Sequence, residues 1–170
     1  VLPMAMSTAL FASGVRDSST ILTQFRFSLR NSMAASVAAN LLILPLGGLV
    51  LSIFGAAYAE NGRMALIVFC LGGLGVVIRD HHVAVARITG AVGREAVLMV
   101  ALGACELAGA AIGASRGGLL GLSLGWLAAV GLEVLVCTPN VWRAFRGHLD
   151  VANAPDLSLI HISEPTRPRL

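Results

Sequence analysis

The sequence predicts an all-α, polytopic membrane helix bundle, and three observations carry that prediction. Hydrophobic residues make up 56% of the 170-residue chain and charged residues only 12%, against about 25% charged in a typical soluble domain. Mean hydropathy is +0.83. Uncharged apolar runs recur near the length of roughly 20 residues that a helix needs to cross a bilayer. The formal net charge of +3 comes from arginine alone, because the chain has no lysine. These arginines fall between apolar runs rather than along one stripe, which argues against nucleic acid as a partner. Cys70, Cys105 and Cys137 lie in three separate apolar runs. Cysteine there behaves as a small hydrophobe, and the spacing makes neither a disulfide framework nor a metal motif.

The elements follow in chain order. Val1 to Ala12 is apolar but too short to span, and it has no charged n-region of the signal-peptide kind. It reads as the end of a preceding helix. Residues 13–30 are polar and carry Arg16, Arg26 and Arg30. Met33 to Ala59 has no charge and is long enough to cross with some tilt. Pro45 within it is tolerable where neighbouring helices satisfy the freed carbonyl. Glu60-Asn61-Gly62-Arg63 reads as a turn. A second span starts near Met64, is uncharged through Ile78, and continues past Arg79-Asp80-His81-His82 to about Ile88. The third runs from Ala96 to Ala114, interrupted by Glu106, and ends at the tight break 115–118. The fourth runs from Leu119 to Cys137, interrupted by Glu133, and is closed by Thr138-Pro139-Asn140. About four complete spans result, plus the end of one before them.

Arginine bookkeeping orients the bundle. Segments 13–30, 79–95 and 138–149 alternate with 60–63 and 115–118. The first set holds eight arginines, from Arg16 to Arg146, and the second only Arg63 and Arg116. The positive-inside rule places the first set in the cytoplasm, with Arg79 discounted because it falls at membrane depth. The expected location is a multi-pass protein of the bacterial cytoplasmic membrane.

Residues 147–170 form a polar tail. Within it, 157–167 resembles the translation of a transposase adapter used in short-read DNA library preparation. The stretch 157–170 is therefore set aside as artefactual and excluded from fold reasoning.

Three segments carry a family resemblance. The first is Leu2 to Ala5 with Leu10 to Gly14, followed by arginine-bearing polar sequence. The second is Leu44-Pro45 with Leu51 to Tyr58. The third is Ile78 to Gly90, ending Val85-Ala86-Arg87-Ile88-Thr89-Gly90. In this order they resemble the second half of polysaccharide flippases, within the multidrug/oligosaccharidyl-lipid/polysaccharide exporter superfamily. The resemblance covers roughly residues 1–146. It implies a partial C-terminal six-helix bundle, completed by an N-terminal bundle of the same chain, that alternates between inward and outward openings. The implied partners are a lipid-linked oligosaccharide or polysaccharide intermediate and the membrane lipids. It also implies that 13–30 is cytoplasmic, in agreement with the arginine count. A cation-coupled multidrug exporter of the same superfamily and a non-transporting membrane assembly subunit stand as alternatives.

Candidate site residues are the ionisable groups at or near membrane depth. Such groups are expensive there, so they face a cavity or find partners. Arg79-Asp80-His81-His82 is the densest polar cluster near a span, and Arg79 and Asp80 are its candidate substrate-binding residues. Arginine suits a pyrophosphate head group because its planar fork donates two parallel hydrogen bonds, and Asp80 or Glu106 can serve as its partner. Snorkelling at the cytoplasmic interface is the other reading. His81 and His82 point about 100° apart on a helix, which argues against a metal site. Glu106 and Glu133 are candidates for binding a coupling proton or cation, or for pairing with Arg79. Arg26 and Arg30, four apart on one helical face, are candidates for contact with phosphate head groups of substrate or of bulk lipid, with ordinary positive-inside anchoring as the other reading. Gly109 and Gly113, and Gly117, Gly121 and Gly125, repeat every four residues, a spacing that lets membrane helices approach closely. No catalytic triad, phosphate loop or nucleotide motif is visible, so neither enzyme activity nor a cofactor or metal is expected.

Overall fold

The computed structural model describes residues 18–148. The apolar segment Val1 to Ala12, with the first resemblance segment, lies outside the described residues, as does the tail from 149 on. Among the described residues the chain is helical without strands. Three elements follow one another: α1 (Ser18–Ser52), α2 (Ala56–Ile88) and α3 (Val92–Phe145). All three are long and apolar enough to cross a membrane. At 1.5 Å per residue, α1 and α2 each extend about 50 Å, against a hydrocarbon core of about 30 Å.

The turn between the first two helices lies at Ile53–Gly55, not at the expected residues 60–63. Gly55 takes φ 121°, a conformation that side chains with a Cβ rarely adopt. The sequence Glu60-Asn61-Gly62-Arg63 instead forms the early turns of α2, and Gly62 is buried with Leu51 beside it. Nothing in those four residues forbids helix, because the run contains no proline. The polar stretch before the first span is likewise helical from Ser18. Pro139, expected to end a span, lies inside α3, which continues to Phe145.

The 54-residue α3 contains the expected third and fourth apolar runs. It departs from helical geometry only at Gly117 (φ −144°, ψ 22°) and Gly118 (φ 57°, ψ −138°). There it reverses. A Cβ built on Gly109 would lie 2.6 Å from the carbonyl oxygen of Gly125, and one on Gly113 would strike that of Gly121. In a straight helix residues 109 and 125 would be about 24 Å apart. The arms 92–116 and 119–145 are therefore an antiparallel hairpin whose backbones touch through glycine, the role their four-residue spacing predicts.

Helix α2 is the central element. It packs antiparallel to α1, with His81 against Ser28 and Gly73 near Ser36. The glycines Gly72 and Gly75 receive Trp126 and Val130 of the second α3 arm, where any Cβ would collide. Along that arm the buried residues Ser123, Val130, Glu133, Cys137, Val141 and Ala144 keep three-, four- or seven-residue spacings, so they form one face. At one end of the bundle, Phe25 of α1, wholly buried, packs with Val141 and Ala144 of α3. The outward faces are apolar. Leu41, Leu49, Val97, Leu107 and Leu135 are all exposed.

The arginines separate by end. Arg26, Arg87, Arg94, Arg143 and Arg146 gather where α1 and the hairpin begin or finish, and Arg63 and Arg116 lie towards the opposite end. This arrangement makes the orientation testable. Asn61→Cys and Gly93→Cys, placed singly in a background without native cysteines, put exposed thiols towards opposite ends. An impermeant thiol reagent added outside intact cells should label position 61 and spare position 93. The reverse pattern would contradict the cytoplasmic assignment of the arginine-rich end.

Candidate functional site

Three ionisable groups from the apolar runs, Arg79, Glu106 and Glu133, meet in one place. On α2, Arg79 lies about 24 Å along the axis from Arg63 and about 12 Å from Arg87, at 1.5 Å per residue. Its Nη1 donates to Glu106 Oε1 at 2.6 Å and to Glu133 Oε2 at 3.3 Å. Glu106 comes from the first arm of α3 and Glu133 from the second. The second oxygen of Glu106 accepts a hydrogen bond from Trp126 Nε1 at 2.6 Å. Glu133 is 1% exposed, whereas the Arg79 side chain keeps 27% of its surface. A charge left alone here would cost about 3 kcal/mol even on lenient insertion scales. The cluster answers that cost with mutual pairing.

Two features decide what the cluster can do. Both acids use the same guanidinium nitrogen. Nη2 and Nε of Arg79 make no hydrogen bond to any described residue, so one edge of the fork remains available to a further acceptor. Two carboxylates facing one guanidinium also carry one excess negative charge when both are ionised. A single proton neutralises the group.

Asp80 is not the partner of Arg79. Adjacent positions on a helix diverge by about 100°, and Asp80 is half-buried without a hydrogen bond or ion pair among the described residues. The candidate partner on the next helix, Glu106, takes that place. Arg26 and Arg30 separate in role. Arg26 Nε donates to the Phe145 carbonyl at 2.7 Å, and its guanidinium lies 5.7 Å from the Phe145 ring centroid. It ties α1 to the end of α3. Arg30 is exposed.

The two histidines have different surroundings. His81 is buried against Phe25, with ring centroids 5.7 Å apart. Its Nδ1 faces the Val77 carbonyl at 2.8 Å and its Nε2 faces Ser28 Oγ at 3.2 Å. A carbonyl only accepts, so Nδ1 carries the hydrogen, and in the neutral ring Nε2 accepts from the serine hydroxyl. His82 points to the other side, where its Nε2 lies 2.9 Å from Glu95 Oε1. That approach lacks the alignment of a hydrogen bond, so Nε2 is within ion-pair distance of Glu95 but neither ring nitrogen has a hydrogen-bond partner among the described residues.

Trp126, Ser28 and Glu95 belong to these arrangements although the sequence does not mark them as candidates. Trp126 stands seven residues before Glu133 and so shares its face, which is the one signal that could have found it. Nothing in the sequence sets the register that brings Ser28 to His81 or Glu95 to His82.

Comparison with protein-family models, with curated proteins and with solved structures finds no match to this chain.

Proposed function

We propose that the chain forms part of a multi-pass membrane transporter whose four spans include the two arms of α3. Its substrate class is a lipid-linked oligosaccharide or polysaccharide intermediate. The observation that carries this reading is the Arg79–Glu106–Glu133 cluster, an ion network drawn from three apolar helical segments with one arginine edge still available. The lipid-linked saccharide follows from the sequence resemblance and from the match between a guanidinium fork and a diphosphate.

The charges give the cycle a direction. With both acids ionised, the cluster repels a phosphate. A proton on either glutamate removes the excess negative charge and leaves Arg79 free to bind the anion through Nη2 and Nε. Proton binding and substrate binding therefore favour each other, and by linkage the coupling is reciprocal. Alternating access then exposes the loaded or unloaded cluster to one side at a time. A multidrug exporter would be favoured by an inward acid without an arginine beside it, and Glu106 pairs with Arg79.

Flipping of a fluorescent, diphosphate-linked oligosaccharide lipid in proteoliposomes tests the reading. The full-length protein should accelerate its loss from the outer leaflet well above the rate in protein-free vesicles. Acceleration confined to a cationic dye would replace this reading with the drug-export one. No acceleration of either would remove transport of these substrates from the account.

A further inference from the structure

A second polar site lies apart from the Arg79 cluster, at the arginine-rich end. A cavity of about 460 Å³ opens between the end of α2, the start of α3 and the end of α3. Its polar lining includes His82, Arg94, Glu95, Asn140, Arg143 and His148. We propose that this cavity binds a singly charged phosphate group, as carried by the phosphodiester of an anionic membrane lipid. The inference does not depend on the transport reading.

Four observations bear on it. First, two arginines face one glutamate, so with both histidines neutral the lining has one net positive charge, which a phosphodiester monoanion balances. Second, the His82 side chain is 3% exposed, and neither ring nitrogen has a hydrogen-bond partner. Burying polar atoms this way is costly; Nε2 lies 2.9 Å from Glu95 Oε1, so a phosphate oxygen accepting from Nδ1–H would offset the cost. Third, α3 begins here without a side-chain cap on Ala91. Its first backbone N–H groups, which helix geometry leaves without partners, add a partial positive charge. Fourth, the volume falls in the range of small-ligand sites and is ample for a glycerophosphate head. Arg94 and Arg143 are exposed, so their guanidinium groups can be supplied to a ligand at no cost to the core. Basic pockets between helix ends at a cytoplasmic interface are where anionic head groups bind.

The test uses the full-length protein in detergent, with native mass spectrometry after addition of phosphatidylglycerol or phosphatidylcholine, and with millimolar inorganic phosphate as competitor. Wild type should retain phosphatidylglycerol in preference to phosphatidylcholine. Arg94→Gln combined with Arg143→Gln should weaken retention about tenfold or more, the effect of losing charge-assisted hydrogen bonds. Glu95→Gln, which removes the one acid, should tighten it, so the proposal remains testable if the double variant does not fold. Competition by inorganic phosphate, or binding of phosphate without lipid, would assign the site to the phosphate group itself. Retention of the lipid without such competition would assign it to the whole head group. Equal retention of both lipids, or equal binding of lipid and phosphate by wild type and all variants, would overturn the proposal.

Discussion

Gly113→Val is expected to prevent the chain from reaching a single monodisperse species in detergent, while Gly103→Ala leaves it intact. The two positions look alike in sequence, since both are glycines in the same apolar run. They differ in what a side chain would meet. At Gly113 a Cβ collides with the backbone carbonyl of Gly121, and its next neighbour is the Cα of Gly125 at 3.3 Å. Backbone cannot rotate aside as a side chain can. Overpacking costs roughly 1–3 kcal/mol even where side chains give way, so the loss here should reach the top of that range or exceed it. Gly103 has nothing within 4 Å of its Cβ position, and alanine there gains up to about 1 kcal/mol of helix propensity. Thermal unfolding followed by gel filtration separates the two. A wild-type midpoint for Gly113→Val would contradict the hairpin.

Arg79→Met should be the most destabilising change in the polar cluster. It leaves Glu106 and the buried Glu133 facing each other without a counter-charge. Removing one member of a buried ion network costs about 3–5 kcal/mol, because the remaining charge is uncompensated. The stability should return when the acids are neutralised as well. Arg79→Met with Glu106→Gln and Glu133→Gln removes all three charges at nearly constant volume, and the amide oxygen introduced by Glu106→Gln can still accept from the Trp126 N–H. The triple variant should therefore unfold near the wild-type midpoint, far above Arg79→Met alone. Failure of the two neutralising changes to rescue Arg79→Met would mean that the arginine stabilises through contacts other than these ion pairs.

Much of this architecture is legible in the sequence, for identifiable reasons. The apolar runs set where helices lie, the arginine asymmetry sets which ends gather, and the glycine repeat marks the close backbone approach between the hairpin arms. The cost of an ion in an apolar run also singles out Arg79, Glu106 and Glu133. The first turn is harder to place, because a polar tetrapeptide at 60–63 is compatible with either a loop or the start of a helix at an interface. Only the positive φ of Gly55 distinguishes them. Pro139 has the look of a stop, yet proline removes a single N–H donor and the helix continues beyond it. The pairs that define the two polar sites are another matter. Periodicity gives the face on which Trp126 and Glu133 lie, but not the axial register that sets Trp126 against Glu106 or Glu95 against His82. Register is fixed by packing between helices, above all by Gly72 and Gly75 receiving Trp126 and Val130.

The central claim is that the Arg79–Glu106–Glu133 network is working machinery and not only an anchor between helices. The most direct measurement is flipping of the diphosphate-linked oligosaccharide lipid by the charge-neutral triple variant, in the same proteoliposomes as wild type. The account predicts a protein that inserts, stays monodisperse and unfolds near the wild-type temperature, but moves the lipid no faster than protein-free vesicles do. A triple variant that flips the lipid at the wild-type rate would contradict the account and reduce the network to a structural tie.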